Sequence, residues 1–142
     1  MATRCRIGME LENGTILHSY CHWDGYPTGV GKTLVEHYND IEKVKELLSF
    51  GDMSYLAPEI HPSGETHSFD SSEENVTVFY KRDRGESEVN SVITSMDELF
   101  SVQYNFLDYV YLFRDGNWYY TYARKMDWKN LNVIFQDFAL TT

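Results

Sequence analysis

His22 and Asp24 stand two residues apart at the end of "TILHSYCHW", a run that reads as a β-strand. In an extended chain that spacing puts both side chains on one face, about 6.6 Å apart, close enough for a proton relay or a shared ligand. His67, in a later polar stretch, could supply an acid, and Arg84 could stabilise charge developing on a phosphate. With His22 as general base and Asp24 orienting it, the four would make a small nucleotide-directed hydrolase of the phosphodiesterase kind. The alternative for the same residues is a hydrogen-bonded strand-end histidine followed by an Asx-type turn in "WDGYP". His18 and His22 lie about 13 Å apart in a strand and cannot chelate one ion. No metal site and no cofactor is expected.

The next residues, "CHWDGYPTGVGKTL", end in Gly-Lys-Thr and raise the question of a phosphate loop. That loop needs a Gly, four free positions and then Gly-Lys-Ser/Thr, and Tyr26 occupies the place of the first Gly, with Gly25 one place early. The preceding strand carries His18, Ser19, Tyr20 and His22, unlike the continuous apolar strand that delivers such a loop onto a helix. An NTPase is therefore not expected. A small anion held near Lys32, with Trp23 or Tyr26 stacking on it and Tyr20 beside His22, remains a reading. Arg82 and Arg84, in the basic cluster "YKRDRGESE", would add forked donors for a carboxylate or phosphate, or else lock loops by salt bridges.

These residues need elements to hold them. "RCRIGMEL" and "TILHSYCHW" flank Asn13-Gly14, a strong hairpin signal. A two-residue turn there places Cys5 opposite His22 and Cys21 opposite Arg6. The two thiols then point to opposite faces and cannot form a disulfide. One face would carry Cys5, Ile7, Met9, Leu11, Ile16, His18, Tyr20 and His22, and should face the core. "DYVYLFRDGNWYYTYA" reads as a second hairpin turning at Asp115-Gly116, with Tyr109, Tyr111, Phe113, Trp118, Tyr120 and Tyr122 on one face. That face is expected to be core.

Helical spacing of Leu34, Tyr38, Ile41, Val44 and Leu48 predicts a helix over 32–50, and an Asn39/Glu42 capping box predicts a kink or two short helices. Residues 51–75 read as a long polar loop, 76–82 as a strand and 89–94 as a further strand. Residues 95–106, opened by Ser95 and Glu98, and 127–138 read as helices. The expectation is one α+β domain over residues 1–142, with a mostly antiparallel sheet built from two hairpins plus one or two further strands. Three to four helices would pack mainly on one face.

Bulk composition narrows the function. The formal charge is −10, which disfavours direct nucleic-acid binding because that affinity rests on Lys and Arg. Glu59 to Glu74 holds five acids and no Lys or Arg, and Glu86 to Asp115 holds six acids with Arg114 alone. Such surfaces solubilise, or dock on a basic patch of a partner. No apolar run approaches the about 20 residues of a membrane helix, and the N-terminus lacks an export signal, so no membrane partner is expected and a cytoplasmic location is.

Taken together, "YCHWDGYPTGVGKTL", "GDMSYL", "HSFD", "YKRDRGE" and "YVYLFRDGNWY" resemble a family of small tailed-bacteriophage proteins over nearly the whole chain. The resemblance implies expression in the cytoplasm of an infected bacterial host and supplies no activity. The expected function is a small acidic, non-enzymatic binding protein of the host-takeover or counter-defence type. Its partner would be a host protein or a small anionic ligand. The hydrolase built on His22 and His67 is the alternative.

Overall fold

The first hairpin is closed by three residues rather than two. In the computed structural model, which describes residues 2–101, 107–123 and 126–135, Gly14 N–H donates to Leu11 O at 2.9 Å and Leu11 N–H to Thr15 O at 2.8 Å. Gly14 takes φ +84°, the left-handed position that follows a type I turn in a three-residue loop. Asn13 Oδ1 accepts from Thr15 N–H at 3.1 Å and so braces the turn instead of occupying its left-handed site. The two-residue turn expected from Asn13-Gly14 is therefore corrected.

That one-residue change resets every pair between β1 (Cys5–Glu10) and β2 (Ile16–Cys21). The register runs from Glu10 opposite Ile16 to Cys5 opposite Cys21. A single slip moves a strand's side chains to the other face. Cys5, Ile7 and Met9 thus share a face with Leu17, Ser19 and Cys21, while Ile16, His18 and Tyr20 lie with Arg6, Gly8 and Glu10. The thiols expected on opposite faces instead face one another, both buried and both free.

The second hairpin keeps its expected register. β6 (Tyr109–Arg114) and β7 (Asn117–Tyr122) pair Tyr109 with Tyr122 through to Arg114 with Asn117. Asp115 and Gly116 both adopt positive φ, as a two-residue type I′ turn requires. Of the six aromatics on one face, Tyr111, Phe113 and Trp118 are buried. Tyr109 and Tyr120 are half-buried, and Tyr122 is exposed at the rim. The buried polar atoms find partners: Tyr111 OH donates to Gly25 O at 2.7 Å and Trp118 Nε1 to Tyr38 O at 2.8 Å.

The remaining elements are α1 (Lys32–His37), α2 (Ile41–Ser49), β3 (Met53–Tyr55), β4 (Val78–Phe79), α3 (Tyr80–Arg84), β5 (Val92–Thr94), α4 (Met96–Leu99) and β8 (Lys129–Asn130). The fold is α+β, with a mostly antiparallel sheet in the order β4-β3-β2-β1-β6-β7-β8. β1 lies at its centre, antiparallel to β2 and parallel to β6. The outer edge of β2 is divided: β5 pairs with Ile16–His18 and β3 with Cys21. On one face, Leu34, Tyr38, Val44, Leu47 and Leu48 of the α1–α2 segment cover Cys5, Ile7, Tyr111 and Trp118. On the other, Leu99 of α4 closes over Ile16, Val110 and Leu112. Each such buried side chain contributes about 1.5–3 kcal/mol.

Local expectations met mixed outcomes. The 32–50 segment divides into two short helices, as its internal cap signal predicts. The cap itself is Asp40, whose side chain accepts from Glu42 N–H at 3.2 Å, not Asn39. Ser95 caps α4 through Glu98 N–H at 3.2 Å. Residues 76–82 give only a two-residue strand before turning into α3, and the polar 51–75 stretch contains β3. The C-terminal chain stays extended through β8 before residues 131–135 become helical, capped by Asn130 Oδ1. Parts of the expected helices, residues 102–106 and 136–138, lie outside the described residues. Among the described residues no helix is long and apolar enough to cross a membrane.

Candidate functional site

The segment joining β2 to α1 emerges beside β3. His22 N–H donates to Met53 O at 3.1 Å and Trp23 N–H to Ser54 O at 3.0 Å, zipping the segment onto that strand. Asp24 then takes φ +58° and the chain folds into a π-helical turn over Pro27–Gly31 that runs into α1. The turn consumes its own amides: Gly29 N–H donates to Tyr26 O and Val30 N–H to Asp24 O, each at 2.9 Å. The Lys32 N–H bonds back to Gly29 O and Pro27 O. A phosphate loop works by leaving such donors convergent and unspent. Here they are spent.

What the segment exposes is aromatic. Trp23, Tyr26 and Tyr55 are 45%, 40% and 43% exposed, against near-complete burial of most large apolar side chains in the sheet. Tyr55 reaches this surface because β3 runs beside the Trp23 backbone. A 280 Å³ cavity opens next to them, lined by Asp24, Thr28, Lys32, Thr33, His37 and Tyr55 among others. Tyr26 OH donates to Asp24 Oδ1 at 3.3 Å. Lys32 and His37 both approach Glu36, each at 3.8 Å. The cavity therefore carries both signs of charge beside the exposed Tyr55 ring.

His22 is committed locally. Its Nδ1 is hydrogen-bonded to Tyr20 OH at 2.6 Å, and its ring meets Trp23 edge-on at 4.7 Å between centroids. Burial, with the Arg4 charge, holds its imidazole below the usual range. Burial also raises the Tyr20 phenol to about 12, so both partners are neutral near pH 7. Asp24 bonds Tyr26, and its expected role of orienting His22 has no hydrogen bond to carry it.

His67 belongs to a different construction. Its Nδ1 accepts from Glu73 N–H at 2.9 Å, which puts the ring proton on Nε2, facing Asp83 Oδ1 at 3.3 Å. Both side chains are almost fully buried. Arg82 grips the same carboxylate with Nε at 2.9 Å and Nη2 at 3.1 Å. Its other donors reach Ile60 O at 2.6 Å and Thr77 O at 3.0 Å, and its guanidinium lies over the Phe79 and Phe50 rings. Burial pushes the Asp83 carboxyl up, but the Arg82 and Phe79 N–H hydrogen bonds with the Arg82 charge outweigh it and hold it below the usual range. Arg82, Asp83 and His67 thus bolt the 56–78 loop to α3.

Arg84 points elsewhere again. It lies over the Phe69 ring at 4.8 Å, 3.6 Å from Glu86, and lines a 400 Å³ hollow with Ser68, Phe69 and Asp70. The sequence-predicted residues therefore divide into three groups. Tyr20, His22, Trp23, Asp24, Tyr26 and Lys32 gather at the β2–α1 segment, His67 and Arg82 at the loop bolt, and Arg84 at the hollow. Lys32 and Arg84 line different cavities, Arg82 is engaged by Asp83, and among the described residues the hydrogen bonds of His22 and His67 go to different partners. Sequence reasoning missed Tyr55 and Asp83. The alternation of Met53 and Tyr55 around Ser54 was the available signal for the first; adjacency to Arg82 was the only one for the second. Comparison with known protein families, curated proteins and solved structures gives no match.

Proposed function

We propose that this chain is a non-enzymatic binding protein, made by a tailed bacteriophage in the cytoplasm of its host, that engages a host protein through the Trp23–Tyr26–Tyr55 surface. The observation that supports this reading is the exposure of three large rings, two on the β2–α1 segment and one on the strand β3 hydrogen-bonded to it, with a polar cavity against Tyr55. Aromatic side chains of this kind anchor interfaces, giving large contact area at low entropic cost. The acidic balance of the chain adds a field that draws basic partners. The small-anion reading draws less support, because Arg82 is spent on Asp83 and Arg84 stands apart from Lys32. The hydrolase reading draws less again, because its base and acid keep separate partners.

The test is affinity capture from phage-infected bacterial lysate with the wild-type chain and with a Trp23→Ala, Tyr55→Ala double variant, both verified as folded by circular dichroism. A host protein recovered in 1:1 ratio by the wild type, and lost or at least about tenfold weakened in the variant, supports the reading; two interface anchors account for that loss. Equal recovery by both chains removes the surface from the argument. No recovery, together with a melting shift from a nucleotide, transfers the function to the small-ligand reading.

A further inference from the structure

Cys5 and Cys21 sit directly opposite one another on adjacent antiparallel strands. Pair types alternate along the hairpin from the hydrogen-bonded Leu11/Thr15 closure, so Cys5/Cys21 falls on a hydrogen-bonded position. Such pairs hold their Cα atoms about 5.5 Å apart, inside the range of about 4.4–6.8 Å that a disulfide needs. Both side chains are on the helix-covered face, both have no exposed surface, and both are free. Beside the helices that cover that face, the segment that carries the aromatic surface also packs against both cysteines. Cys21 Sγ donates to Trp23 O at 3.7 Å. Gly25 lies so close to the other thiol that a Cβ there would come 3.0 Å from Cys5 Cβ, and Gly25 N–H is tied to Thr3 O at 2.8 Å.

We propose that Cys5 and Cys21 are a modification site: a dithiol that closes to a reversible disulfide under oxidising conditions and thereby changes the Trp23–Gly25 segment above it. The oxidant is a low-molecular-weight disulfide. One cysteine thiolate attacks a sulfur of that disulfide, giving a mixed disulfide and releasing one small thiol. The second cysteine thiolate then attacks the protein-side sulfur, forming the Cys5–Cys21 bond and expelling the second small thiol. Two protein thiols are oxidised, one small disulfide is reduced to two thiols, and the two protons leave with the small thiols. Burial sets the rate, since the reagent reaches the thiols only when the packing over them opens. Burial also raises the Cys5 thiol's pKa, with the Cys21 hydrogen bond acting in the same direction, so attack is slow in the closed state. Closure removes the Cys21 S–H that Trp23 O accepts, and this couples the bond to the segment. The thiol chemistry stands without the binding reading; only an effect on a partner rests on it.

The experiment brings the chain to redox equilibrium from both sides. Native reduced protein, and protein oxidised in denaturant and then refolded, are incubated in a series of oxidised-to-reduced glutathione ratios. They are quenched with acid, alkylated with maleimide in denaturant, and weighed intact. Convergence of both samples on a species lighter by two hydrogens, with no maleimide and no glutathione, is the expected result. Cys5→Ser and Cys21→Ser chains should instead stop at a glutathione adduct or stay reduced. Two maleimides on the wild type at every ratio from both starting points overturns the proposal. So does an oxidised chain that regains its native circular dichroism only after reduction, because the bridge would not fit the folded hairpin. The coupling has its own readout: a fluorescence difference between oxidised and reduced wild type that disappears in Trp23→Phe. No such difference would leave the disulfide without its proposed effect and overturn that half.

Discussion

At the scale of single residues, His18 shows how a polar side chain becomes structural. It is fully buried on β2, its Nδ1 accepts from Arg6 Nε at 2.7 Å, and its Nε2 lies 2.8 Å from Thr94 Oγ1, whose hydroxyl donates onward to Ser95 O. The ring is therefore a neutral bridge between a cation and the strand β5 that closes the sheet edge. Protonation would set two positive charges within hydrogen-bonding distance in a buried site. Burial, then the Arg6 charge, lowers the His18 pKa to about 3, against about 6.5 in an unfolded chain. Asp52, which accepts from Tyr20 N–H and feels Arg6, is itself raised by burial. The folded pKa is the depressed one, so the contribution is complete above pH 6.5 and lost as pH falls from there toward 3. Its limiting slope is about 1.4 kcal/mol per pH unit. His22, also depressed, adds a loss of the same sign. Urea unfolding at pH 7 and pH 5 should show the wild type losing stability, and a His18→Gln chain losing distinctly less. Equal losses would show that protonation of His18 is not opposed by the fold.

Among the elements, the 56–78 loop is the largest piece held without a continuous ladder, and Asp83 is its fastening point. Its carboxylate takes two bonds from Arg82, one from Phe79 N–H at 2.8 Å, and faces His67. Asp83→Asn keeps the shape and removes the charge, leaving the Arg82 guanidinium without its counterion. Breaking a fully buried pair from one side costs about 3–5 kcal/mol, and with the Arg82 side chain 21% exposed the loss here should be a fraction of that. Urea midpoints should fall accordingly, and limited proteolysis should cut faster between residues 61 and 75. An unchanged midpoint would mean the carbonyls of Ile60 and Thr77 suffice to hold Arg82. Salt bridges that lock loops were one reading of Arg82 and Arg84 in the sequence, and Arg82 makes one through Asp83; its burial was not legible, because both residues stood in a charge cluster. The hairpins show the same limit on a finer scale. Asp115-Gly116 could be read because both residues entered the left-handed region and fixed a two-residue turn. Asn13-Gly14 looked equivalent, but only Gly14 turned left-handed, and the extra loop residue swapped the faces of β2. The α+β class and the division of 32–50 were written in local periodicity and caps. β3 was not, because its three residues are fixed by pairing with β2 and β4 rather than by their own propensities.

For the whole molecule, charge is the dominant long-range term. Twenty-two acids against twelve Lys and Arg leave −10 on a chain of 142 residues, and like charges at that density repel within the folded state more than in the expanded chain. Among the attractive contacts that oppose this, the shortest Arg–carboxylate pairs are Arg82 with Asp83 at 2.9 Å and the Glu10–Arg114 pair at 2.8 Å that ties β1 to β6. These are short and partly buried, so salt screens them weakly, while repulsion between exposed acids acts over distances comparable to the screening length. Raising sodium chloride from about 0.05 M to about 0.5 M contracts that length from roughly 14 Å to roughly 4 Å. The repulsion should fade first, and the melting temperature should rise with salt. Replacing the exposed acids Glu65 and Glu74 by Gln should flatten that rise, because they lie in the stretch with no Lys or Arg. A melting temperature that instead falls with salt would mean that ion pairs, not repulsion, dominate this surface. The same screening bears on the proposed contact in the opposite direction. Steering by an acidic field speeds encounter with a basic partner and weakens as salt rises, whereas rings such as Trp23 and Tyr55 hold the docked state by burial and act on dissociation. Stability that climbs with salt while association slows is the joint signature of an acidic domain whose charge serves encounter rather than folding.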